Sequence, residues 1–136
     1  MAWVVDTCLL IDIGVEDPLF AAKSAQLLDS KANDGLAICP VTFVELAPSF
    51  GGRAQPLEVF LLKIGIDYRE DWTWEDTRRA NAAWYVHVRK RRAMLAAKRP
   101  VADVLIGAFA CRFQGLLTRN RVDFASLHPG LTIVEP

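Results

Sequence analysis

The stretch Trp3-Val4-Val5-Asp6-Thr7-Cys8-Leu9-Leu10-Ile11-Asp12-Ile13 sets how the rest of the chain is read. Trp3, Val4 and Val5 form an apolar run too short for a helix, and they read as a buried strand that stops at Asp6. Leu9, Leu10, Ile11 and Ile13 then supply one or two helical turns. The same alternation continues downstream. Asp17-Pro18 predicts a helix start, with Asp17 as cap and Pro18 in the first turn, running to about Ser30. Asn33-Asp34-Gly35 is a turn, and Leu36-Ala37-Ile38-Cys39 is a second strand. Pro40 opens a helix through Phe43, Glu45 and Leu46, and Pro48 predicts a break before Gly51-Gly52. Pro56 opens another helix to about Lys63, followed by a strand over 65–68. Thr73 with Asp76 resembles a capping box. Residues 74–97 contain neither Gly nor Pro and read as one long helix or two. Pro100 marks a boundary before a largely buried helix from Asp103 to Ala110. Leu116-Leu117-Thr118 and Leu131-Thr132-Ile133-Val134 are the last strands. Short apolar strands alternating with helices predict an α/β fold with a mostly parallel sheet flanked by helices.

The chain has 136 residues, 52% of them hydrophobic, with 16 basic and 16 acidic groups. That describes one domain able to bury its own core, and it excludes a disordered or polyanion-coating protein. The neutral sum hides a partition. Residues 1–77 carry 13 acidic and 5 basic groups, residues 78–99 carry 8 basic and no acidic groups, and residues 100–136 carry three of each. Cys8, Cys39 and Cys111 match no zinc or disulfide pattern and read as free thiols. With no signal-peptide pattern and no apolar run long enough to span a bilayer, a soluble cytoplasmic protein without membrane contact is expected.

Most carboxylates suit caps, turns or wet faces; Asp12 can help shape a pocket near the first strand, but a solvent-exposed helix face is the expected place for it. Four stand out by position. Asp6 ends the first strand, Glu45 sits in an apolar helical run, Asp103 opens the most hydrophobic helix, and Asp123 follows the fourth strand. Beyond the carboxyl ends of the strands of an open α/β sheet, such groups can converge in one crevice. Clustered carboxylates repel, so they either bind protons or take up cations. Mg²⁺ fits the second case: it prefers oxygen ligands, and it can activate water and engage phosphates. Taken one at a time, each of these residues also has an ordinary role as a cap or surface group.

The blocks Val5-Asp6-Thr7-Cys8-Leu9-Leu10-Ile11-Asp12, Val44-Glu45-Leu46, Val101-Ala102-Asp103-Val104-Leu105-Ile106 and Leu117-Thr118-Arg119-Asn120-Arg121-Val122-Asp123-Phe124, in this order, resemble a PIN-domain ribonuclease. More narrowly, they resemble the VapC toxins of type II toxin–antitoxin systems, over nearly the whole chain. The resemblance implies a PIN-like three-layer fold. It implies a Mg²⁺ or Mn²⁺ site surrounded by Asp6, Glu45, Asp103 and Asp123, with Asp6 and Asp103 as preferred direct ligands. Thr7, Thr118 and Asn120 become supporting polar groups, and Phe124 a packing anchor. It also implies endonucleolytic cleavage of RNA, a VapB-like antitoxin, homodimerisation and a toxin–antitoxin hetero-oligomer. Two features depart from the family pattern: Pro48 lies three residues after Glu45, and the lead-in Lys98-Arg99-Pro100 to Asp103 is short and lacks serine.

Arg89, Lys90, Arg91, Arg92, Lys98 and Arg99 are candidate RNA contacts, as is Arg119, which suits a structural role equally well. Four consecutive bases cannot share one helix face, so some only solvate the helix. Trp72, Trp74, Trp84 and Tyr85 can stack on bases if exposed, but their spacing also suits a core or a dimer interface. A noncatalytic α/β interaction module and a PIN-type nuclease of RNA processing are the alternative functions.

Overall fold

The computed structural model describes residues 1–94 and 100–136. Five short strands, β1 (Trp3–Val5), β2 (Leu36–Ala37), β3 (Ile66–Asp67), β4 (Gly115–Leu117) and β5 (Ile133–Val134), form one sheet in the order β3-β2-β1-β4-β5. Every pairing is parallel, with Val4 opposite both Ala37 and Leu116. The helices among the described residues are α1 (Thr7–Gly14), α2 (Ala21–Lys31), α3 (Pro40–Glu45), α4 (Ala54–Lys63), α5 (Trp74–Met94), α6 (Val101–Ala110) and α7 (Arg121–Leu127). Lys98 and Arg99 lie outside the described residues. No helix among the described residues is long and apolar enough to cross a membrane.

Strand side chains alternate between the two faces. Trp3, Val5, Leu36, Ile38, Ile66 and Leu117 meet Leu9 and Leu10 of α1, Leu27 and Leu28 of α2, and Leu57 and Leu61 of α4. Val4, Leu116 and Ile133 face the other way, onto Ile106 and Phe109 of α6 and Phe124 of α7. The result is a three-layer α/β/α sandwich with a sheet buried on both faces, as an all-parallel sheet requires. Gly115 makes room for this packing: a Cβ there would stand 2.5 Å from the Thr132 carbonyl and 2.7 Å from the Trp3 ring.

The punctuation residues act largely as their chemistry dictates. Asp17 accepts hydrogen bonds from the N–H groups of Leu19 and Phe20, although regular helix begins only at Ala21. Pro40 occupies the first turn of α3. Pro48 lies in a 3₁₀ turn (Ala47–Phe50) that starts after α3 has ended, and Gly51 closes that turn in the left-handed region. Thr73 and Asp76 form the reciprocal cap of α5: the Thr73 N–H donates to Asp76 at 2.9 Å, and the Asp76 N–H donates to Thr73 at 3.1 Å.

Asp76 is fully buried, and Arg112 Nε reaches both of its oxygens at 3.0 and 3.1 Å while the guanidinium stacks on Phe109 and Phe113. Ala80 packs with Val104 and Ala108, and His87 shares a small groove with Pro100. The long helix α5 therefore runs antiparallel to α6, and its basic end lies near the start of α6.

Candidate active site

From β1 the sheet grows outward in both directions, through β2 and β3 on one side and β4 and β5 on the other. The crevice of such a sheet opens beyond the carboxyl ends of the two strands where the order reverses, here β1 and β4. Asp6 is the first residue after β1, and Thr118 is the first after β4. Asp6 keeps an extended backbone and caps α1, its Oδ1 accepting the Thr7 N–H at 2.8 Å. Thr118 Oγ1 donates to Asp6 Oδ2 at 2.7 Å and accepts the Asn120 N–H at 3.0 Å. The Cys8 thiol donates to the same Asp6 oxygen at 3.3 Å. Asp6 is only 4% exposed. Burial raises its carboxyl above the ordinary value of 3.8; the bonds from Thr118, Cys8 and Thr7 oppose the rise, and the negative charge of Glu45 adds to it.

Glu45 is the last residue of α3, so the break around Pro48 follows it and leaves it on the helix. Its Oε1 accepts the Thr7 hydroxyl proton at 2.6 Å. Thr42 Oγ1 lies 3.1 Å from Thr7 Oγ1. The single Thr7 proton goes to the carboxylate, so the Thr42 hydroxyl must donate to Thr7. Asp6, Thr7, Glu45, Thr42 and Thr118 thus form one hydrogen-bonded cluster drawn from the ends of β1 and β4 and from α1 and α3. The sequence reading missed Thr42, which stands three residues before Glu45 on the same helix face; that spacing is the signal that would have found it.

Asp103 and Asp123 are half-buried in the first turns of α6 and α7. Because α6 leads back into parallel β4, its N-terminus is at the carboxyl edge of the sheet, and α7 starts from that edge. Asp123 also lines a groove of about 240 Å³ with Arg119, Asn120, Arg121, Val122 and Glu135. Asp6 and Glu45 are joined through Thr7, while Asp103 and Asp123 stand on separate helices, α6 and α7. Among the described residues, no three His, Cys, Asp or Glu side chains are grouped so as to hold a metal ion. The donor set is of the kind that suits Mg²⁺ or Mn²⁺: carboxylates backed by hydroxyls, with a buried carboxylate on which the negative charge of Glu45 acts. Asp6 and Glu45, with Asp103 and Asp123 from the same edge, are the groups that would hold such an ion.

Asp12 departs from expectation. It is 3% exposed instead of solvated, and it pairs with Arg119 at 2.8 Å. The Arg119 guanidinium, a candidate RNA contact in the sequence, is thereby held against Asp12 and over the Phe20 ring, with 31% of the side chain exposed. Arg89 and Lys90 are exposed on α5, and Arg91 and Arg92 follow on the same helix. Arg89 lies over the Tyr85 ring. Trp74 and Tyr85 are exposed, whereas Trp72 stacks on Phe109. All three cysteines are free; burial pushes the Cys8 and Cys39 thiols up to about 12, with the Asp6 charge adding to the effect at Cys8. Phe124 is fully buried.

Compared with models of known protein families the chain matches none, and a search of curated proteins likewise finds no match.

Proposed function

We propose that this protein is a Mg²⁺-dependent endoribonuclease that hydrolyses RNA phosphodiester bonds, as the PIN-domain toxins it resembles in sequence do. The observation that carries the proposal is the buried Asp6 carboxylate at the reversal point of the sheet, linked to Thr118 across β4 and through Thr7 to Glu45. A buried carboxylate raised by desolvation and by a second carboxylate is a site whose charge calls for a cation. When bound, Mg²⁺ would supply Lewis acidity and an activated water. The chain's own residues do the rest. Thr118 and the Thr7 N–H fix both oxygens of Asp6 toward the crevice. The Thr42–Thr7 relay turns Glu45 toward the same edge, where it can orient an attacking water or take its proton. Arg89 and Lys90, on the basic end of α5, attract the RNA backbone without selecting sequence.

By the same resemblance, a VapB-like antitoxin restrains the activity, and the chain works as a homodimer in the cytoplasm within a toxin–antitoxin hetero-oligomer. The test is induced expression of the wild type and Asp6→Asn, followed by sequencing of newly formed RNA ends. Discrete ends specific to the wild type, reproduced by purified protein with Mg²⁺ or Mn²⁺ and lost in EDTA, are expected. No new ends, no growth defect and no metal binding by the purified protein would sink the proposal. The ungrouped state of the carboxylates favours a second reading, a noncatalytic module that uses the acidic crevice as a partner surface. It predicts partner binding that is indifferent to EDTA.

A further inference from the structure

Asp12 and Arg119 are 107 residues apart in sequence and pair between α1 and the segment that follows β4. Arg119 Nε donates to Asp12 Oδ2 at 2.8 Å, and Nη2 donates to Oδ1 at 3.0 Å, a two-pronged contact that fixes both the distance and the plane of the pair. Ser24 Oγ of α2 donates to the same Oδ2 at 3.3 Å, and the guanidinium lies 4.1 Å from the Phe20 ring centroid. Along the chain, Arg119 stands between Thr118, whose hydroxyl binds Asp6, and Asn120, whose N–H binds that hydroxyl. Asp12 belongs to α1, the helix that Asp6 caps. One ion pair therefore ties the segment that carries Thr118 to the helix that Asp6 caps.

We infer that the Asp12–Arg119 pair is a positioning strut, which holds the β4–α7 segment on α1 so that Thr118 keeps its bond to Asp6. The inference rests on the ribonuclease reading of the crevice. It assigns Arg119 to the rate of the chemical step and not to capture of RNA, because its guanidinium is directed at Asp12 and stacked on Phe20. Lysine would keep the charge but lose the fork.

The test uses Arg119→Lys and the doubly neutral Asp12→Asn/Arg119→Gln. The double variant leaves neither charge buried alone, so it keeps a cooperative fold. Its kcat on a susceptible RNA falls about 10- to 100-fold, as when an outer partner of a ligating group is lost, at unchanged KM. Arg119→Lys falls in between. Without RNA or metal, the Asn120 amide exchanges its hydrogen faster in the double variant than in the wild type. Unchanged kcat overturns the strut, as does a raised KM at constant kcat, which would make Arg119 a phosphate contact. Should the wild type cleave no RNA, the ribonuclease reading fails by itself and amide exchange decides: faster exchange at Asn120 supports the strut, and unchanged exchange overturns it.

Discussion

Thr118 Oγ1 donates to Asp6 Oδ2 at 2.7 Å, although 112 residues separate the two in the chain. Thr118→Val keeps the shape and removes the donor. It leaves a buried carboxylate short of one bond and the Asn120 N–H without its acceptor. A hydrogen bond to a charged group contributes about 1.5–3 kcal/mol, so urea unfolding at pH 7 shows a loss of that order. Because Thr118 is the foremost bond opposing the rise at Asp6, the Asp6 carboxyl, followed by carbon NMR, moves higher still. An unchanged urea midpoint would mean that the bond is immaterial.

Asp6→Asn raises the melting temperature in EDTA at pH 7. Burial lifts the folded-state carboxyl above 3.8, so the folded protein holds this proton more tightly than the unfolded chain. Stability from this group therefore falls as pH rises from the ordinary carboxylate value through the raised one, and the deficit is complete at neutral pH. Asparagine lacks the penalty. The advantage of the variant shrinks as pH is lowered toward 3.8. Mg²⁺ stabilises the wild type and leaves the variant unchanged. A variant that melts below the wild type at pH 7 contradicts this account.

Arg89→Ala/Lys90→Ala weakens RNA binding without changing the fold, since both side chains are exposed. Each lost phosphate contact on a single strand reduces the slope of log affinity against log salt by roughly 0.7, so the pair reduces it by up to about 1.4. Fluorescence anisotropy over a salt series with Ca²⁺ replacing Mg²⁺ measures it. An unaltered slope would assign these bases to helix solvation alone.

Gly107→Ala destabilises the domain. A Cβ at this position would stand 2.2 Å from His128 Cδ2 and 2.6 Å from Nε2. The ring cannot yield freely, because Nε2–H donates to the Val104 carbonyl at 3.0 Å. Overpacking of this kind typically costs about 1–3 kcal/mol, read as a lower urea midpoint, and His128→Ala in the same chain relieves part of it. Burial also lowers His128 below 6.5. The unfolded chain then binds the proton more readily, so this contribution is intact above 6.5 and is lost as pH falls through the lowered value. Proton NMR of the imidazole follows that titration.

The alternation of strand and helix was legible because buried parallel strands are uninterrupted apolar runs, as at Trp3–Val5, and because Pro40, Pro100 and the Thr73/Asp76 cap announce helix starts. Helix α7 was not foreseen: seven residues with one buried apolar side chain, Phe124, show no period to read. Asp12 was misread for a different reason. A carboxylate among Ile11 and Ile13 looks solvated until its partner is known, and Arg119 lies in a segment that only the completed sheet brings near. Fully buried Asp76 became a capping residue at once, but its dependence on Arg112 was equally hidden. Local chemistry marked Asp6 and Glu45 as candidates. The link through Thr7, whose N–H bonds Asp6 and whose hydroxyl bonds Glu45, became visible only in three dimensions.

The central place of β1 in the sheet also has a bearing on timing during synthesis. A chain emerging from the ribosome can pair β1 with β2 and β3 and lay α1, α2 and α4 on that half-sheet while β4 is still unmade. Such an intermediate already presents Asp6, Thr7 and Glu45, yet it has no Thr118 to orient Asp6 and no Arg119 to brace α1. Whatever chemistry the crevice performs is thus withheld from the growing chain until β4 docks beside β1.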